Sequence, residues 1–164
     1  MEGSDGESQK ERVSRELIEL LNELRVALPG VQVLFAFLLA VPFSNGFSAA
    51  TDTQKNLFFV TLGLTTLASV LLIAPSSYHR INFRAQDKER LLFTSNRWSI
   101  AGLFFLACAM VSAVVLIADF VYSRNMAIAS GVVAGLVFGW FWFAIPVARW
   151  RENVRNKSDG EREA

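Results

Sequence analysis

Residues 100–120 read IAGLFFLACAMVSAVVLIADF, and no charge interrupts them until Asp119, one residue from the end. A helix of this length covers about 30 Å, the thickness of a bilayer's hydrocarbon core. A surface helix of a soluble domain needs a polar face. This run has none, so it reads as a membrane span. Working outward, similar apolar blocks fall at about 28–47, 57–75 and 126–147. The first is the weakest: its uninterrupted part is 33–41, with Gln32 before it and Pro42, Ser44 and Asn45 after it. The expected fold class is all-α: a four-helix transmembrane bundle, residues 29–150, preceded by an amphipathic cytoplasmic helix over 9–28.

The charges sort themselves around these blocks. Of the 16 Lys and Arg residues, only Lys55 and Arg124 lie in the connections between blocks one and two and between blocks three and four. The rest precede the first block, follow the fourth, or sit in the middle connection with Arg80, Arg84, Lys88, Arg90 and Arg97. Basic residues are retained on the cytoplasmic side. The expectation is a multi-pass protein of the inner or plasma membrane with both termini and the 76–97 loop in the cytoplasm. Tyr78, Trp98, Trp140, Trp142 and Trp150 map to that same end, where amphipathic rings prefer to sit. The acidic leader, with Glu2, Asp5, Glu7, Glu11, Glu16, Glu19 and Glu23, is unlike the short basic start of a signal peptide.

Before the first span, Val13, Leu17, Leu21, Leu24 and Leu28 recur every three or four residues, the stripe of an amphipathic helix. Ser8 and Glu11 have capping-box spacing at its start. Pro29-Gly30 then predicts an elbow at the membrane surface. The stripe has three possible uses: packing on the protein's own loops, docking a soluble partner, or resting on lipid. Residues 1–8 and 151–164 are polar and read as disordered tails.

The composition excludes much. The single cysteine, Cys108, lies inside a span and cannot form an internal disulfide. No phosphate-binding glycine loop, nucleophile elbow or metal-ligand cluster is present, so no catalytic residue, cofactor, metal or nucleic-acid partner is expected, and the chain does not read as an enzyme. His79, the sole histidine, has no companion for a metal and no carboxylate at motif-like spacing. Beside Arg80 and Arg84 it is a candidate contact for an anionic lipid headgroup or a partner.

Two patterns lie within the spans. Gly131, Gly135 and Gly139 form a glycine zipper, a groove that lets another helix approach closely, either in this chain or in a second copy as a homodimer. Thr61, Thr65 and Ser69 share a face of the second block and, with Gln32 and Asp119, are the polar elements a small transporter or ion pathway would use. No ionisable residue stands near the middle of any span, where ion-coupled carriers place one.

Residues 15–43, RELIELLNELRVALPGVQVLFAFLLAVPF, and 72–80, LIAPSSYHR, resemble two landmarks of a family of small bacterial membrane proteins of unknown function. The resemblance covers about residues 13–150 and implies four spans and little biochemistry. Some similar proteins carry the label sodium:proton antiporter, which the missing intramembrane carboxylate does not support. The function expected from the residues is a non-enzymatic integral membrane protein that binds membrane lipid or a membrane-protein partner from its cytoplasmic face. The alternative is a small transporter or ion pathway.

Overall fold

The computed structural model describes residues 9–81, 88–149, 151 and 155, without the side chains of 9, 10, 79, 81 and 88–91. All regular structure among them is helical: α1 Gln9–Ala40, α2 Asp52–Ile81, α3 Lys88–Val121 and α4 Arg124–Phe138. Past α4 the chain continues as a π-helical segment, Gly139–Ala144, and returns to α-helix through residue 149. Pro146, two residues beyond that segment, has no N–H to offer the carbonyl of Trp142, so a regular α ladder is interrupted there. Among the described residues four helices are long and apolar enough to cross a membrane.

These helices exceed what a bilayer core needs. With 32, 30 and 34 residues, α1, α2 and α3 each extend about 45–50 Å. About 20 residues suffice for the hydrocarbon.

The chain divides into two compact units, Met1–Met110 and Val111–Ala164. In the first, the buried positions fall into seams. On α1 they are Leu17, Leu24, Val31 and Leu38, seven residues apart. On α2 they are Phe58, Thr61, Thr65, Ala68, Leu72 and Pro75, alternating by three and four. On α3 they are Ser95, Ser99, Gly102, Leu106 and Ala109, with the same alternation. A repeat of seven, split three and four, keeps one face of each helix turned toward its neighbours, as in left-handed coiled coils. Leu24, Val31, Ala68, Leu72 and Leu106 form the apolar centre. Lipid is as apolar as leucine, so small residues and close backbone approach hold such helices together. Gly102 illustrates this: a Cβ built there would lie 2.8 Å from Leu72 Cγ and 3.3 Å from Leu71 Cβ. Tyr78 and Trp98 meet edge to face at 5.6 Å and fix the register of α2 against α3.

In the second unit, the end of α3 and α4 form a hairpin through Tyr122-Ser123. Ser123 caps α4 by accepting from the Met126 N–H. Ala127 is buried, and a Cβ at Gly131 would fall 2.5 Å from Val115 Cγ2.

The helix boundaries differ from the expectation in three places. Helix α1 runs unbroken through Pro29-Gly30, where an elbow is expected. Pro29 deprives the Arg25 carbonyl of its intrahelical donor, but Leu24 and Val31 on either side of it occupy the same buried seam, and their packing carries the helix across. The first helix also ends at Ala40, short of 47, because Pro42 lacks a donor and the chain tightens into 3-10 turns at Val41–Phe43 and Phe47–Ala49. Finally, much of the expected 76–97 loop is helix: α2 continues to Ile81 and α3 begins at Lys88. The 1–8 tail and nearly all of 151–164 lie outside the described residues.

Candidate functional site: a groove lined by two arginines

Helices α1 and α2 run antiparallel, and near one end their surfaces part into a groove of about 640 Å³. It is lined by Leu21, Asn22, Arg25, Leu28, Pro29 and Gln32 from α1 and by Ser76 and Arg80 from α2. The α1 contributors are spaced to share one face, beside the seam of Leu17, Leu24 and Val31. Ser76 and Arg80 are one turn apart on α2. The volume is that of an ordinary small-molecule site, which runs about 300–1,000 Å³.

The groove's electrostatics are one-sided. Its lining holds, among the described residues, two guanidiniums and no carboxylate. Among the described residues neither Arg25 nor Arg80 has an acidic partner; the neighbouring basic residues on α1 do, with Arg12 to Glu16 at 3.0 Å and Arg15 to Glu19 at 3.6 Å. Arg25, Arg80 and Gln32 are exposed, so the groove opens outward from the helices. An arginine presents its donors in a rigid fork matched to phosphate and carboxylate oxygens.

Of the residues singled out in the sequence, Arg80 and Gln32 lie in this groove. His79 is on the last turn of α2, but its side chain lies outside the described residues, and so does Arg84 altogether. The groove adds Asn22, Arg25 and Ser76, and joins to Arg80 the Gln32 that the sequence offered only as an element of an ion pathway. The available signal was the i, i+3, i+7, i+10 spacing of Asn22, Arg25, Pro29 and Gln32. Nothing local showed which turn of α2 they face.

The glycine zipper divides. Gly131 is in close contact with Val115, whereas nothing comes within 4 Å of a Cβ built at Gly135 or Gly139. Each hydroxyl of the track on α2 donates back to its own helix: Thr61 Oγ1 to the Leu57 carbonyl, Thr65 to Thr61 and Ser69 to Thr65, each at 2.8 Å. Thr61 and Thr65 are fully buried. Asp119 is half-buried near the end of α3. Cys108 is half-buried with a free thiol. Among the described residues no group of three His, Cys, Asp or Glu side chains is placed to hold a metal ion.

A family model described as a family of unknown function (DUF6328) matches residues 6–146. The chain belongs to that family. A search of curated proteins returns no match, and a search of solved structures returns none. The DUF6328 match takes in all eight residues that line the groove.

Proposed function

We propose that this is a non-enzymatic integral membrane protein that binds a lipid or a membrane-protein partner at its arginine-bearing end. Basic residues gather at the ends of α1, α2 and α3 that meet there, and the positive-inside rule assigns that end to the cytoplasm. On this reading the protein is multi-pass, with both termini inside, in the cell membrane. The observation that carries the proposal is the groove between α1 and α2, with two arginines lacking acidic partners among the described residues. Burying or shielding two like charges favours an anionic occupant. The open face at Gly135 and Gly139 supports a further contact, either with lipid or with a second copy.

The test is native mass spectrometry of the full chain released from membranes in mild detergent. The expected result is a retained lipid or partner that is lost when Arg25→Gln and Arg80→Gln are combined. Recovery of bare chain from both proteins would remove the proposal.

A further inference from the structure

We infer that the groove holds the phosphate of an anionic phospholipid, with the lipid's ester region beside Gln32 and Ser76. This rests on the reading of the groove as a binding site and names its ligand. The first argument is the order of groups along the helices. Arg25 and Arg80 stand toward the outer end, with Leu21 and Asn22 about one turn beyond Arg25 on α1. Ser76 lies one turn deeper on α2, about 6 Å, and Gln32 two turns deeper on α1, about 10 Å. Continuing the same faces inward brings Ala36 and Leu39 on α1 and Ile73 on α2, all apolar and exposed. A phospholipid presents its phosphate, ester carbonyls and acyl chains in that order from water inward.

The second argument is polar satisfaction. Gln32 is an exposed amide within a run that continues Val33, Leu34, Phe35. An amide facing hydrocarbon without a partner is strongly disfavoured. An ester carbonyl at its depth accepts its N–H. The third is charge. A phosphodiester accepts from both guanidiniums through charge-assisted bonds. A choline or ethanolamine headgroup would add a cation to a groove whose described residues already include two and no anion, so a net-negative lipid is favoured. Free phosphate leaves the Ala36, Leu39 and Ile73 surface uncovered.

Accessibility of the groove tests this with a Ser76→Cys reporter in a full-length Cys108→Ala background, labelled by a small thiol reagent. Labelling is compared in native membranes, in delipidated micelles, in phosphatidylglycerol vesicles, in phosphatidylcholine vesicles, and in micelles with inorganic phosphate. The expected result is protection in native membranes and in phosphatidylglycerol, with labelling slower by about tenfold than in phosphatidylcholine, whose choline cation is repelled by the two arginines. Combining Arg25→Gln with Arg80→Gln should abolish that difference. Arg12→Gln with Arg15→Gln, an equal loss of charge outside the groove, should preserve it, and matched helical content would show that the variants fold. Equal protection by phosphatidylcholine, or protection by inorganic phosphate alone, overturns the lipid assignment while leaving a ligand in the groove. Labelling in native membranes as fast as in delipidated micelles overturns the binding site itself.

Discussion

Replacing Gly102 with alanine tests whether close backbone approach, and not general greasiness, holds α2 to α3. The added Cβ would lie 2.8 Å from Leu72 Cγ and 2.9 Å from Leu72 Cδ2, where ordinary contact begins at 3.4 Å, so 0.6 Å must be found. Leu72 is fully buried and cannot swing aside, and the Cβ of Leu71, 3.3 Å away, moves only with its backbone. Overpacking of this kind costs about 1–3 kcal/mol. Alanine returns about 1 kcal/mol through its better helix propensity. The net expectation is a loss of up to about 2 kcal/mol. Gly131→Ala should behave alike, because Val115 Cγ2 is closer still at 2.5 Å and a β-branched side chain has few rotamers to retreat into. Gly135→Ala meets nothing within 4 Å and should be neutral or gain about 0.5–1 kcal/mol. The assay is loss of far-ultraviolet circular dichroism as dodecyl sulfate is titrated into mixed micelles. A wild-type midpoint for Gly102→Ala together with a lowered midpoint for Gly135→Ala would refute the reasoning, since it would place the tight helix contact on the open face of α4.

Three further outcomes follow from buried hydroxyls and from topology. Ser95 Oγ is buried with no hydrogen-bond partner among the described residues, so Ser95→Ala should leave stability unchanged or raise it by about 1 kcal/mol; a clear drop in the same titration would show that the hydroxyl is used. Thr65→Val removes a donor that serves only its own helix, at 2.8 Å to the Thr61 carbonyl, and should shift stability by less than about 1 kcal/mol. A loss of several times that would reveal a bond across helices. For orientation, single cysteines at Thr53 and at Ser158 in a Cys108→Ala chain should react with an impermeant thiol reagent on intact cells at Thr53 alone; the reverse pattern would invert the topology.

Much of the fold was legible because membrane spans are written in composition: four apolar blocks, with the charges pushed outside them. The seams were less so. In a span whose every face is apolar, the period of three and four does not stand out, and only Thr61, Thr65, Ala68 and Pro75 mark the buried side of α2 by being small or polar. The start of α2 at Asp52, ahead of the expected block at 57–75, was not picked out from the sequence; it rests on Thr51-x-x-Gln54, a reciprocal capping box in which the Thr51 N–H donates to Gln54 Oε1 and the Gln54 N–H to Thr51 Oγ1. The elbow at Pro29-Gly30 was expected from local preference, and the seam through Leu24 and Val31 overrode it. For the site, Arg80 was legible as a cation near a membrane surface. Its pairing with Arg25 was not, because it depends on the register of two antiparallel helices 55 residues apart in sequence, and that register is set by packing deeper in the unit.

The most direct test of the account is photocrosslinking in living cells from a probe residue placed at Gln32, compared with the same probe at Phe59, which is exposed on α2 away from the groove. The account predicts that the Gln32 probe captures anionic phospholipid in excess of the Phe59 probe, and that combining Arg25→Gln with Arg80→Gln removes the excess. Identical lipid profiles from the two positions, unchanged by the arginine substitutions, would contradict it.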